Sequence, residues 1–157
     1  MHPSGVGTWV GDWAWSLPLI VLTVVVHVCG LAAIGEQVVR ALGGETVGRR
    51  NFMLKFAVVM AVTSLLATLL HGFEAAIWAA AYWFLAALPD ARTAMLYSLS
   101  AMTSYGHAAL FLKDRWQLMG ALEALNGMLL FGLTTAFLFA IIQRAWPLGS
   151  REAHRDR

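Results

Sequence analysis

Charge is what this chain has least of. Only 13% of its 157 residues are Asp, Glu, Lys or Arg, 59% are hydrophobic, and the mean hydropathy is +0.66. Soluble domains carry about 25% charged residues, so the composition excludes a water-soluble globular protein and implies an integral membrane one. The net charge of +2 is small, and the basic residues gather at the ends of apolar segments rather than in one patch, which excludes a nucleic-acid partner. Cysteine is scarcer still: Cys29 stands alone inside an apolar run, so no intrachain disulfide can form, and it reads as a small buried side chain. No basic residue precedes the first apolar stretch, unlike a cleaved signal peptide; Asp12 among Trp9, Trp13 and Trp15 reads instead as an interfacial aromatic belt. No internal repeat is present, which removes the inverted-repeat signature of secondary transporters.

What the chain does have is three apolar stretches long enough for a bilayer, which needs about 20 residues. They run from about Leu17 to Leu42, from Phe52 to Leu88 and from Leu118 to Ile142. The second, as one helix of about 36 residues, would be about 54 Å long, well beyond a hydrocarbon core of about 30 Å. It must project or bend, and His71-Gly72 is the expected bend, with Trp78, Tyr82 and Trp83 at the outer interface. Between the second and third stretches, Pro89-Asp90 opens a segment of about thirty residues. Its first part, Ala91 to Met102, predicts three helical turns with Asp90 as N-cap. Three turns cannot span, so the segment reads as re-entrant. Non-helical backbone at that depth survives only where protein buries it or it lines a wet cavity.

Basic residues set the orientation. Arg40, Arg49, Arg50 and Lys55 lie in the first connection and Arg144, Arg151, Arg155 and Arg157 in the tail; Arg92, Lys113 and Arg115 lie on the opposite side. Eight against three places the first connection and the C-terminus in the cytoplasm, and the N-terminus outside the cell (inner) membrane.

The re-entrant segment ends in Tyr97-Ser-Leu-Ser-Ala-Met-Thr-Ser-Tyr-Gly-His107, and Ala121-Leu-Glu-Ala-Leu-Asn-Gly-Met-Leu-Leu-Phe-Gly-Leu-Thr-Thr-Ala136 follows. Together these resemble the selectivity loop and inner helix of small bacterial two-helix-pore channels, the potassium-channel-like superfamily. The resemblance implies an all-α membrane protein with three transmembrane helices, a re-entrant pore helix and a filter loop, assembling as a homotetramer because each chain supplies one loop. It implies passive conduction of monovalent cations, potassium first, with no enzymatic activity and no bound cofactor. The corresponding organisation is an extracellular segment 1–16, an extra helix and cytoplasmic loop 17–50, a pore module 51–145 and a cytoplasmic tail 146–157. At 157 residues a single domain is expected, a pore without a cytoplasmic ligand-sensing domain.

Potassium filters replace the ion's water shell with rings of backbone carbonyls. Set against the family pattern Thr-Thr-Leu-Gly-Tyr-Gly-Asp, this chain reads Ala101, Met102, Thr103, Ser104, Tyr105, Gly106 and His107. Aligned without a gap, Met102 replaces the inner-mouth threonine, Ser104 a glycine, and His107 the terminal aspartate; shifted by one residue with a deletion, Thr103 is the mouth threonine and the loop is shortened. A left-handed backbone costs a residue with a side chain roughly 1–2 kcal/mol, so Ser104 weakens the filter and selectivity for potassium over sodium is expected to be reduced. In the family a glycine about twenty residues past the filter is the gating hinge; Gly127 falls there and Gly132 follows, with Asn126 beside them lining the pore. Small residues also serve close helix packing in membranes.

Three further intramembrane polar residues are functional candidates by position. Glu123 is expected behind the filter, partnered by Ser98 or Ser100. His71 and Glu74, three apart on one helix face, read as a hydrogen-bonded polar pair; metal binding needs a third ligand, for which His27 is the candidate, and a proton-sensing role is the other alternative. His107, at the outer mouth, is the better-placed pH sensor. Two rival functions stand beside the channel: a non-conducting scaffold or partner subunit with the same fold, and a b-type haem protein using His27 with His71 or His107. The orientation is testable first. In intact cells, Ser4→Cys should react with an impermeant thiol reagent and Ser150→Cys should not; external labelling of Ser150→Cys would reverse the topology.

Overall fold

The computed structural model describes residues 5–42, 49–106 and 110–155, and the side chains of 9–42, 52–106 and 110–144. It is 89% helix, with no strand among the described residues. The elements are α1 (Gly5–Leu42), α2 (Arg49–Phe84), α3 (Ala91–Met102) and, after a single 3₁₀ turn at Asp114–Trp116, α4 (Gln117–Arg155). Three helical segments are long and apolar enough to cross a membrane: Trp9–Leu42, Phe52–Phe84 and Asp114–Arg144.

Helix α1 begins well before the expected Leu17 and carries Pro18 in its interior. Proline lacks an amide hydrogen, so Ala14's carbonyl loses its helical partner while the rest of the ladder continues. Helix α2 runs unbroken through His71-Gly72, where a bend was expected. It stops short of the expected Leu88: the Ala86 and Ala87 amides fold back onto the carbonyls of Trp83 (3.0 Å) and Tyr82 (2.9 Å), with Ala86 left-handed at φ 49°. That is a Schellman cap with alanine where glycine is usual, and Pro89 follows it. The short α3 has the bounds and the cap the sequence predicts. Asp90 accepts the Thr93 amide at 2.9 Å and the Thr93 hydroxyl at 2.7 Å. These bonds hold its carboxyl below the usual carboxylate range.

The chain forms two compact units: residues 1–27 with 71–131, and residues 28–70 with 132–157. The second is built on Leu31, Ile34, Val38 and Ile141, with Val59, Met60, Leu70 and Phe137 packed against them. The first holds the larger core, centred on Trp78, Tyr82, Ala94, Leu112, Trp116 and Met119. Two expectations change here. Trp78 and Tyr82 are fully buried rather than interfacial, whereas Trp83 is exposed. Glu74, Trp78 and Tyr82 repeat every fourth residue, so one helix face carries all three inward. Cys29 is exposed, not buried. It shares its surroundings with exposed Val25 and Val28, and an apolar helix face needs no protein cover when lipid supplies the contact.

In the first unit, the inward positions of α1 are Asp12, Ser16, Thr23 and His27, all polar. This stripe replaces the expected interfacial role of Asp12. Asp12 stands near the backbone amide of Met119, in the first turn of α4, and its Oδ1 has no hydrogen-bond partner among the described residues. First-turn amides have no helical acceptor, and the positive end of the helix dipole favours a carboxylate there.

Candidate functional site

The first unit gathers most of the candidates around α3. Ala94, Ser98 and Met102 form its buried face at every fourth residue. Glu123, fully buried on α4, joins three helices: its Oε2 accepts the Tyr82 hydroxyl of α2 at 2.7 Å, and its Oε1 makes a very short hydrogen bond with the Ser98 hydroxyl of α3. Of the two expected partners, Ser98 is the one it meets. Ser98 Oγ also lies 2.7 Å from the Ala75 carbonyl of α2. One hydroxyl proton cannot serve two acceptors fully. A proton on Glu123 Oε1 satisfies every group: Glu123 donates to Ser98, Ser98 to Ala75, and Tyr82 to Glu123.

Three positions down α4, Asn126 donates from Nδ2 to the Thr23 hydroxyl of α1 at 2.9 Å, and Thr23 donates to the Leu19 carbonyl at 2.8 Å. Asn126 therefore sits inside the chain, 2% exposed, rather than on an open face of α4. Gly127 lies directly against the end of α3. A Cβ there would collide with the backbone of Met102, including its carbonyl oxygen. Its first role is thus close packing. Gly132 has nothing within 4 Å of such a Cβ.

Met102 is buried with Ala75 and Leu130, so at the mouth position it is a packing residue. Beyond it the chain turns sharply. Ser104 is left-handed at φ 54°; its amide bonds the Ala101 carbonyl at 3.0 Å and the Tyr105 amide bonds the Ser100 carbonyl at 3.0 Å. This is a second Schellman cap, again without glycine at the left-handed position. Ser104 does adopt the backbone that its glycine counterpart would take freely, and the two cap bonds offset its cost. Gly106 is left-handed too, at φ 69°. Thr103 donates its hydroxyl to the Leu99 carbonyl at 2.7 Å, so it caps the helix as well. Residues 103–106 are all exposed, Tyr105 at 83%. His107 lies outside the described residues. A groove of about 530 Å³ opens beside the loop, lined by Tyr97, Ser104, Gly106, Phe111, Gln117 and Ala121 among others. Burial drives the Tyr97 hydroxyl up to about 12.

A second polar cluster lies where α1 meets α2. Glu74, fully buried, places Oε1 2.9 Å from His27 Nδ1 and Oε2 3.2 Å from His71 Nδ1. His27 is fully buried and His71 11% exposed. The two imidazole rings lie 5.1 Å apart, too close for a haem to sit between them with a nitrogen on each side of its iron. His71 also stacks on Phe131 at 4.2 Å. The sequence pairs His71 with Glu74 through their spacing, but His27 joins only through the packing of α1 on α2. Thr23 and Tyr82 were missed as site residues; the four-residue spacings Thr23–His27 and Trp78–Tyr82 were the available signal.

Comparison with protein-family models, with curated proteins and with solved structures finds no match for this chain.

Two substitutions separate packing from hinge roles. An exposed helical Gly→Ala change should stabilise by up to about 1 kcal/mol, and Gly132→Ala should do so in thermal unfolding of detergent-solubilised protein. Gly127→Ala should instead lower stability, because the methyl group meets backbone and not a movable side chain. Glu123→Ala should cost about 1–3 kcal/mol for the Tyr82 hydroxyl left without an acceptor. Glu123→Gln keeps an acceptor for Tyr82 and a donor for Ser98, and should lose clearly less. Equal losses for the two Glu123 variants would remove the network from the account of stability.

Proposed function

We propose that this chain is the subunit of a tetrameric, potassium-channel-like cation channel, with the loop after α3 forming the constriction. One observation carries the reading. A twelve-residue helix, about 18 Å long and too short to cross a bilayer, is anchored by a buried carboxyl between apolar spans and ends in a tight, exposed loop. Exposed loop backbone is tolerated at membrane depth only around water or protein, and a ring of neighbouring copies supplies both. The exposed side chains of Leu125, Met128 and Leu129 on α4 supply apolar surface for such contacts. In this reading Thr103, Tyr105 and Gly106 present the carbonyls, Gly127 and Gly132 are where the last helix flexes, and the N-terminus lies outside.

Ion selectivity follows from the same residues. Three loop amides, of Ser104, Tyr105 and Gly106, fold back onto α3, so fewer coordinating layers stack along the axis than in an extended filter. Weak discrimination between potassium and sodium is the consequence. The same fold-back favours a second reading: a non-conducting subunit that keeps the architecture as a scaffold.

Purified protein in planar bilayers separates them. The channel reading expects unitary currents whose reversal potential shifts only partly toward the potassium equilibrium value under a potassium/sodium gradient. Ser104→Gly with His107→Asp should move it further, since the first relieves roughly 1–2 kcal/mol of backbone cost per subunit and the second restores a cation-attracting charge. Mass measurement in nanodiscs should find four chains. A tetramer without current supports the scaffold; a monomer or dimer removes both readings.

A further inference from the structure

We propose that His27, His71 and Glu74 form a buried binding site for a divalent transition-metal ion, with zinc the ion that best suits the donor set. The inference rests on this cluster alone and does not depend on the channel reading. Two imidazoles and one carboxylate from two helices converge so that their three ligand atoms lie within 4.8 Å of one another. Zinc bonds to nitrogen and oxygen are about 2.0–2.2 Å, so tetrahedral geometry sets neighbouring ligand atoms about 3.3 Å apart. The two imidazole nitrogens flank the carboxylate, His27 Nδ1 2.9 Å from Oε1 and His71 Nδ1 3.2 Å from Oε2, so modest side-chain rotation brings one oxygen and both nitrogens to that spacing. Two histidines and a glutamate with an open fourth position is also a donor set that zinc accepts.

Electrostatics points the same way. A carboxylate inside a membrane span is costly unless a positive charge accompanies it. The groups that meet the Glu74 oxygens here are two imidazoles, and a divalent cation would bring positive charge to the carboxylate with both rings neutral, with water or an anion as the fourth ligand. The geometry is partly held in advance: Phe131 stacks flat on His71, with the ring planes 20° apart. His71 is the one ligand of the three with exposed surface.

The test uses the full-length protein, purified in detergent and stripped with chelator, then titrated with Zn²⁺ alone against a chromogenic competitor. One zinc per chain is expected. His27→Ala and His71→Ala should each weaken binding by about 100-fold or more, beyond the 10–100-fold that loss of an outer-shell partner costs, and His107→Ala should leave it unchanged. Should the cluster variants fail to fold, Co²⁺ added to the unsubstituted protein gives the answer. Intense visible absorption bands of four- or five-coordinate cobalt support the site. The weak spectrum of hexaaqua cobalt, no zinc retained against the competitor, or binding abolished by His107→Ala would each overturn it.

Discussion

The first unit depends on one buried carboxyl. Glu123 accepts the Tyr82 hydroxyl on one oxygen and donates to Ser98 from the other, so α2, α3 and α4 meet at a single side chain. In hydrocarbon there is no water to replace either partner, so each hydroxyl left unpaired would carry its full desolvation cost. Apolar packing between membrane helices is weakly directional, because lipid is as apolar as leucine. A polar node supplies what packing lacks: a preferred depth and rotation for α3. The short helix could otherwise slide or tilt among its neighbours with little change in buried area.

Helix α1 is held to the same unit by similar means. In its inward stripe Thr23 meets the side chain of Asn126, His27 meets the carboxylate of Glu74 and Asp12 stands near the amide of Met119, while Ser16 Oγ has no hydrogen-bond partner among the described residues. A polar stripe on a span so apolar elsewhere costs stability unless each group is matched. The three contacts lie on two different helices, which fixes the register of α1. Large apolar residues on its other faces, such as Val21 and Val25, are left for lipid or for other chains.

The loop after α3 shows how backbone hydrogen bonds and side-chain identity compete. Ser104 and Ala86 both stand left-handed at the end of a helix, where glycine would be free of cost. In both places amides of the following residues return to the helix and occupy carbonyls that would otherwise be unpaired. At α2 this only terminates a span. At α3 the same solution uses amides of the exposed loop that follows the helix, so the loop's conformation is set by helix capping. Gly127 lets this end of α3 approach α4 more closely than any side chain would permit.

The sequence by itself determined the broad architecture. Long apolar runs with few charges inside them leave only helices as a way to satisfy the backbone in a membrane, and Pro89-Asp90 sets the start of α3 through local capping alone. The Glu123–Ser98 contact was legible as well, because a carboxyl on a span needs a partner and the preceding helix offers few. Other features were decided by tertiary structure. Periodicity places Trp78 and Tyr82 on one helix face but does not say whether that face meets lipid or protein, since both are apolar surroundings. His71 and Glu74 are joined by a three-residue spacing along one helix, whereas His27 lies 47 residues from Glu74 and reaches it only when α1 packs on α2. Whether Gly127 bends a helix or seats another against it likewise depends on what stands opposite. Local rules govern caps and spans because their partners are a few residues away; polar clusters in a membrane are built across helices, and their partners are set by packing.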